Sequence, residues 1–184
     1  MQTLTDNALM LKVKSGDIQK LGLLYERHKK RLFGFFYNMN SDAALSEDLV
    51  QNVFMRILKY KHTFTGEGSF VAWMFSTARN VNYDYYKKSK KTNNEYQISS
   101  VEYKLDDGIS MEESLMRNEE LKNLKKAMHK MAPEKREILV LSKFKELKFS
   151  QIGEIIGCSE GAAKVKAHRA LKELRTIYLQ LESI

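Results

Sequence analysis

Apolar side chains recur at steps of three and four residues along most of this chain, which is the spacing of an amphipathic α-helix. In the first half, three such stripes predict helices from about residue 15 to 37, 41 to 61 and 69 to 91. The start signals are Ser15-Gly16-Asp17, Ser41-Asp42 and Ser69, because short polar side chains accept hydrogen bonds from the first free amides. The stripes comprise Leu21, Leu24, His28, Leu32, Phe35 and Phe36 in the first helix, Leu45, Leu49, Val53, Ile57 and Tyr60 in the second, and Phe70, Trp73, Met74, Thr77, Val81 and Tyr85 in the third.

The periodicity disappears from Thr92 to about Ser110, where Asn, Ser, Asp and Gly are frequent. A stretch of this length is uncommon as a loop inside one compact domain, so it indicates a linker between two domains. Helical periodicity resumes near Met111, and Pro133 suits the first position of a further helix. We therefore predict an all-α protein with one domain at residues 1–91, a flexible acidic linker at 92–112 and a second domain at 113–184.

The second domain contains two adjacent helical patterns separated by a Gly-Cys-Ser turn. Ser150 and Ser159 are placed to begin these helices, and Gly157 can adopt the left-handed conformation that ends the first one. A basic second helix after a short turn predicts a helix-turn-helix whose second helix enters the DNA major groove. A plain helical hairpin with a solvated basic face is the alternative. The predicted apolar seam of the second helix comprises Ala163, Ala167, Ala170, Leu171 and Leu174.

The charge distribution also suggests a polyanionic partner. The 184 residues carry a net charge of +8, with 43% apolar and 29% charged side chains, so the chain can bury a core. Residues 1–91 have 15 basic and 8 acidic side chains, residues 92–116 have 1 and 6, and residues 117–184 have 15 and 9. Two basic blocks joined by an acidic segment suit nucleic acid, although acidic lipid or solubility alone would also explain them.

Several other classes of chemistry have no support in the sequence. The single cysteine, Cys158, cannot form an intramolecular disulfide. The N-terminus lacks a signal-peptide core and no segment approaches a membrane span, so we expect a cytoplasmic protein that is not itself a membrane protein. The histidines show no metal-type spacing, and the phosphate-binding and hydrolytic motifs are missing, so we predict no metal, no cofactor and no enzyme activity.

The chain resembles the extracytoplasmic-function (ECF) type of bacterial RNA polymerase sigma factor from about Gly16 to Leu179. Four stretches carry the resemblance in order: LYERHKKRLFGFFY, SEDLVQNVFMRILKY, GSFVAWMFSTARNVNYDYYKKSKK and MAPEKREILVLSKFKELKFSQIGEIIGCSEGAAKVKAHRALKELR. Each is moderately specific alone, but their order makes a specific set. The resemblance implies two helical domains, called regions two and four, that bind core RNA polymerase and direct it to promoters. It also implies control by an anti-sigma factor.

The resemblance further implies roles for individual residues. The helix with the DLVQ stretch matches the surface that grips the largest polymerase subunit, and the stretch at residues 64–70 with its following helix matches the part that recognises and opens the −10 element. The helix-turn-helix matches the reader of the −35 element. The implied residues are Asp48, Gln51, Asn52 and Met55 for polymerase, Phe64, Asn80, Tyr83, Asp84, Lys87 and Lys88 for the −10 element, and Glu160, Lys164, Val165, Lys166, His168 and Arg169 for the −35 element.

Three details qualify these roles. The family commonly has Glu where this chain has Asn52, which removes one charge from the polymerase surface. Trp73 shares the apolar stripe of Phe70 and Val81, so we prefer its interpretation as a core residue to that as a base contact. A stand-alone helix-turn-helix regulator is the alternative function, but it would need neither the Asp48 surface nor a loop that melts DNA, and it would usually dimerise on a palindrome.

Overall fold

The computed structural model describes residues 4–91, 111–144 and 147–182, and the predicted linker lies almost wholly outside them. The described part is helical, as predicted. It comprises α1 (Asp6–Lys14), α2 (Lys20–Asn40), α3 (Ala43–Lys59), a 3-10 turn (Lys61–Thr63), α4 (Phe70–Lys91), α5 (Met111–Lys130), α6 (Pro133–Leu139) with a π-helical continuation (Val140–Phe144), α7 (Phe149–Ile156) and α8 (Glu160–Glu182).

Helices α1 to α4 pack around one apolar core, because each presents a single apolar stripe to the others. The predicted stripes are confirmed: Leu32, Phe35 and Val53 are fully buried, and Phe35 packs edge to face on Phe75 of α4. Asp42 begins α3 as predicted, since its carboxylate accepts a hydrogen bond of 2.9 Å from the Leu45 amide. The shared core of this first unit fixes the orientation of α3 relative to α4.

Helices α5 to α8 form the second unit, which ends in the predicted helix-turn-helix. Gly157 ends α7 with φ 73°, in the left-handed region that favours glycine. Ser159 begins α8, because its hydroxyl accepts from the Ala162 amide at 3.2 Å. Gly153 permits the tight turn, since a Cβ there would lie 2.5 Å from the Cys158 carbonyl oxygen. The turn therefore depends on two glycines, of which the sequence pattern indicated one.

Four local predictions are corrected by the structure. The helix expected from residue 15 begins at Lys20, because the chain first completes α1, which the sequence analysis did not predict. Ser150 lies inside α7, and the Lys148 amide at its start donates instead to the Gln151 side chain at 3.2 Å. Tyr60, at the end of α3, and Leu171, in the seam of α8, are exposed. In the described ranges, no helix is long and apolar enough to cross a membrane.

The two units contact each other directly. Helix α7 packs on α4, and α6 with its π-helical continuation packs on α2. Arg136, which is buried, donates from Nη1 to the Met39 carbonyl at the end of α2, over 2.7 Å. The described residues therefore form a closed arrangement, in which the helix-turn-helix lies against the first unit.

Candidate nucleic-acid and polymerase interfaces

The outer face of α3 carries Asp48, Gln51, Asn52 and Met55, and all four are exposed. The helix turns its stripe of Leu49, Val53 and Ile57 into the core, so these four side chains lie on the opposite side. Met55 is 69% exposed, which is unusual for an apolar side chain without a partner. An adaptable thioether beside a carboxylate and two amides is a chemistry that suits a protein surface better than a phosphate backbone.

A small pocket lies where the loop at residues 64–69 meets the start of α4. Its volume is about 230 Å³, below the roughly 300–1,000 Å³ of drug-sized sites, so it is suited to one small planar group. Aromatic surface and hydroxyl groups both face it. Its lining comprises Thr63, Phe64, Thr65, Gly68, Ser69, Ala72, Trp73, Ser76 and Glu154.

The aromatic residues of this pocket are part of the core rather than free platforms. Phe64 is only 3% exposed and packs against Trp73, with ring centroids 5.3 Å apart. The ring of Phe64 therefore has little surface open to a base, and the −10 role implied for this residue stays a prediction. Trp73 is half-buried and contacts Phe70 as well, as the core interpretation predicted. Of these two rings, the half-buried Trp73 therefore contributes the more accessible surface to the pocket, with Phe64 packed behind it.

The exposed strip of α4 continues away from this pocket. Asn80, Tyr83, Lys87 and Lys88 are exposed, and Tyr83 is 66% exposed. Asp84 is different, because it is half-buried and accepts a 2.6 Å hydrogen bond from Arg56 of α3. This pair stabilises the orientation of α3 against α4, which lowers the availability of Asp84 for a base. An amide, a phenol ring and two ammonium groups along one helix are a suitable set for single-stranded nucleic acid.

Helix α8 presents its basic face to solvent. Ala163, Ala167 and Ala170 are buried against the rest of the second unit, so the opposite face of this part of α8 is exposed. Lys164 forms an ion pair of 2.6 Å with Glu160, one turn earlier. All six residues implied for the −35 element are exposed: Glu160, Lys164, Val165, Lys166, His168 and Arg169.

Contacts between the two units cover part of the pocket beside α4. Gln151 of α7 donates a hydrogen bond of 3.1 Å to the Ser69 hydroxyl at the start of α4. Glu154, one turn later, contributes its carboxylate to the pocket lining. A negative charge at this position opposes the entry of a phosphate-linked strand. In the closed arrangement, the helix-turn-helix therefore restricts access to the pocket.

Buried polar groups stabilise the closed arrangement. Arg79 of α4 donates from Nε to both carboxylate oxygens of Glu137 in α6, at 2.9 and 3.1 Å. Burial raises the pKa of Glu137, and the adjacent Arg79 lowers it only in part. The pair therefore links α4 to α6, while burial works against the charged form of the Glu137 carboxylate.

Arg136 and His129 make the second polar contact between the units. The Arg136 guanidinium donates to carbonyls of Met39, Met128 and His129 at 2.7–2.9 Å. Arg136 Nη1 also lies 3.2 Å from His129 Nδ1. Because arginine can only donate, Nδ1 is the acceptor and the proton of the neutral ring is on Nε2. Nε2–H then donates to the Ser41 hydroxyl at 2.6 Å. Burial and the charge of Arg136 lower the pKa of His129 to about 4.

The sequence analysis did not indicate Arg79, His129, Arg136 or Glu137 as functional, because each has a partner in the other unit that is distant in the sequence. It also missed Asn7, whose partners lie about sixty residues away along the chain. The described residues contain no group of three or more His, Cys, Asp or Glu side chains that could hold a metal ion.

Comparison with known proteins agrees with this division into two units. Residues 24–92 match the family model of Sigma-70 region 2, and residues 121–174 match that of Sigma-70 region 4. The RNA polymerase sigma factor CarQ of Myxococcus xanthus is 30% identical over 163 residues, covering 86% of this chain and 89% of CarQ. The ECF RNA polymerase sigma factor SigM of Bacillus subtilis is 31% identical over 164 residues, covering 84% of this chain and 93% of SigM.

Two solved structures share the fold. CnrH, in complex with the cytosolic domain of CnrY, has a TM-score of 0.70 at 20% identity, covering 94% of this chain and 96% of CnrH. The sigma factor RpoE of Bartonella quintana, in complex with the anti-sigma factor NepR, has a TM-score of 0.66 at 23% identity, covering 85% and 94%. With two family models matched in order and relatives that are 30% and 31% identical over most of their length, the chain belongs to the ECF RNA polymerase sigma factors. It is an alternative sigma factor that directs core RNA polymerase to particular promoters.

Proposed function

We propose that this sigma factor divides its work among three surfaces. The outer face of α3 binds core polymerase, the pocket at residues 64–69 with the exposed strip of α4 captures the melted −10 strand, and α8 reads the −35 duplex. Residues 1–91 and 113–184 then act as separate domains joined by the stretch at 92–112. The observation that carries this proposal is that the implied residues on α3 and α8 are exposed, opposite stripes that are buried.

Capture of unstacked bases would supply the free energy of melting. Stacking of a base on an aromatic side chain contributes about 1–3 kcal/mol, which offsets the cost of unstacking a step or two. Tyr83 offers an exposed ring, and the half-buried Trp73 in the pocket lining offers a second apolar surface for a flipped base. Asn80 can donate and accept hydrogen bonds with base edges, while Lys87 and Lys88 bind phosphates. In this proposal, the chain itself catalyses no reaction and works in the cytoplasm.

We further propose that an anti-sigma factor controls this chain by holding the closed arrangement. CnrH was solved with the cytosolic domain of CnrY and RpoE with the anti-sigma factor NepR, and their fold matches over most of this chain. In the closed arrangement, Glu154 and Gln151 lie at the pocket beside α4. A partner that binds both units at once would keep α7 beside the pocket and would prevent the two promoter surfaces from separating.

Run-off transcription tests the main proposal. Purified bacterial core polymerase is supplied with this protein and a library of promoter fragments, and new sequence-selective transcripts are expected. Asp48→Arg with Gln51→Ala removes binding to core, because both side chains lie on the exposed face of α3. Glu26→Arg is the matched control, since Glu26 is an exposed carboxylate on α2 and the change in charge is the same as for Asp48→Arg.

Two outcomes would contradict the proposal. Unchanged polymerase binding by the α3 variant would show that this face is not the polymerase surface. No transcripts with any fragment, together with retarded duplex DNA in a gel shift without polymerase, would favour the stand-alone regulator. The exposed basic face of α8 would explain that binding by itself.

A further inference from the structure

Helix α1 lies before residue 24, where the match to Sigma-70 region 2 begins, yet it contacts the loop assigned to promoter opening. The Asn7 amide donates from Nδ2 to the Gly68 carbonyl at 2.7 Å and to the Gly66 carbonyl at 3.3 Å. Its Oδ1 accepts from the Phe70 amide, the first residue of α4, at 2.8 Å. One side chain therefore joins two points of the loop to the start of the helix that follows it.

A second side chain of α1 holds the other end of the loop. Lys14 Nζ donates to the Phe64 carbonyl at 2.7 Å. Between the two contacts, the Leu11 side chain lies against Gly66, where an added Cβ would be 3.2 Å from Leu11 Cδ2. Gly66 has φ 83°, so the backbone is in the left-handed region at this point. Helix α1 thus contacts the loop at its beginning, middle and end.

Helix α1 is itself rigidly placed. Leu9, Met10 and Val13 are fully buried in the core of the first unit. Asp6 accepts a hydrogen bond of 2.8 Å from Arg27 of α2 and lies 2.7 Å from the ring of His28. Burial raises the pKa of Asp6, but these two partners outweigh it and lower the pKa below its ordinary value. A fixed helix can impose its geometry on an otherwise irregular loop.

We propose that Asn7 and Lys14 are positioning residues that hold the loop at residues 64–69 in the shape that captures a melted base. This inference rests on the proposed function of that loop. A loop that is already ordered before the strand binds loses less conformational entropy on binding. The free-energy cost of capturing the strand is therefore lower. Neither residue touches the DNA in this account. They act through the carbonyl groups of Phe64, Gly66 and Gly68, which direct the loop around the pocket.

The two functions of Asn7 can be separated by substitution. Asn7→Asp keeps an oxygen that accepts from the Phe70 amide, so the start of α4 remains capped. It loses the donor to the Gly66 and Gly68 carbonyls and places a carboxylate beside them. Asn7→Ala loses both functions. A residue that merely caps α4 would tolerate aspartate, whereas a residue that positions the loop would not.

The test uses holoenzyme with full-length protein and a promoter fragment selected by run-off transcription with the wild type. Polymerase binding, closed-complex formation on the duplex and strand opening by permanganate reactivity are measured separately. Asn7→Asp is expected to reduce opening at least about fivefold, roughly the effect of one lost hydrogen bond. Its polymerase binding and closed complex are expected to be unchanged, and the remaining cap on α4 is expected to keep the protein folded at the assay temperature. Lys14→Met is expected to reduce opening likewise, and Lys12→Met, an exposed lysine on the same helix, is the control.

Opening by Asn7→Asp at the wild-type level would overturn the positioning role. So would a lower thermal midpoint with an equal loss of polymerase binding and opening, because that result describes a purely structural residue. Equal effects of Lys14→Met and Lys12→Met would also overturn it. Wild-type protein that opens no promoter would instead contradict the proposed function of the loop, so the two failures are distinguishable.

Discussion

The ion pair between Arg79 of α4 and Glu137 of α6 joins the two units, so breaking it on one side is expected to open the closed arrangement. Arg79→Met removes the guanidinium but leaves the carboxylate at an interface where the Glu137 side chain is only 10% exposed. An unpaired carboxylate is poorly solvated there and gains by moving into water. Separation of the two units provides that solvation, and this gain biases the equilibrium toward the open form.

The magnitude follows from the exposure of the two partners. Breaking a fully buried pair costs about 3–5 kcal/mol. Arg79, however, is 39% exposed, and solvent therefore already screens part of the interaction. A discounted value of about 1–2 kcal/mol corresponds to a shift of roughly 5- to 30-fold in the ratio of closed to open molecules. Glu137→Gln should shift it less, because burial already raises the pKa of this carboxyl and disfavours its charged form.

Single-molecule energy transfer measures this ratio directly. Dyes are attached at Glu26 and Lys172, exposed positions on α2 and α8, after each is changed to cysteine and Cys158 to serine. Arg56→Met is a matched control, since it removes an arginine of similar exposure whose ion pair with Asp84 lies within the first unit. The reasoning would be refuted if Arg79→Met left the ratio within about twofold of the parent, or if Arg56→Met changed it equally.

Three further results are expected. Gly153→Ala should lower the free energy of unfolding of the second unit by more than about 1 kcal/mol, because its Cβ would lie 2.5 Å from a backbone carbonyl oxygen. Gly161→Ala is the control, because a Cβ there would meet nothing within 4 Å. It should be neutral or stabilising by up to about 1 kcal/mol. Protonation of His129 should cost stability as the pH falls from 6.5 toward its lowered pKa of about 4, reaching about 2 kcal/mol at pH 5 in urea titrations. Lys164→Ala and Arg169→Ala should weaken binding to the −35 duplex, and a changed base preference of about 1–3 kcal/mol would indicate direct readout.

Each of these expectations has a result that contradicts it. Equal stability of the two alanine variants would mean that the α7–α8 turn can shift to admit a Cβ. For the pH dependence, His129→Gln serves as the control, and a loss of stability in acid that this variant retains would assign the effect to other groups. For the recognition helix, unchanged duplex binding by both variants, measured at one salt concentration, would show that the wrong face of α8 was assigned.

Much of the fold was predictable because local patterns specify it. The stripe that includes Leu32 and Phe35 marks the buried face of α2, and Asp42 marks the start of α3. Gly157 and Ser159 mark the turn between α7 and α8. In each case, the signal lies within a few residues of the feature, where helix periodicity and capping chemistry act. The exposure of Asp48, Gln51 and the α8 residues then follows, since a helix with one buried face exposes the other.

Other features depend on partners that are distant in the sequence. Helix α1 was missed, although its burial and its contacts with the loop follow once α2 and α4 are in place. The resemblance implied a −10 role for Phe64, and the structure adds that its ring packs against Trp73 and Phe70. Aromatic residues in a glycine-rich loop suit either role, so only the packing of neighbouring helices distinguishes them.

The sequence by itself determined that the chain is helical, that it ends in a helix-turn-helix and that its polar faces match those of an ECF sigma factor. Those conclusions rest on periodicity, capping residues and motif order, all of which are local properties. Only the tertiary structure shows that Asn7 bonds to the loop at residues 64–69 and that Glu154 lines the adjacent pocket. It also revealed the pair of Arg79 and Glu137, because contacts between residues 58 positions apart depend on how whole helices pack.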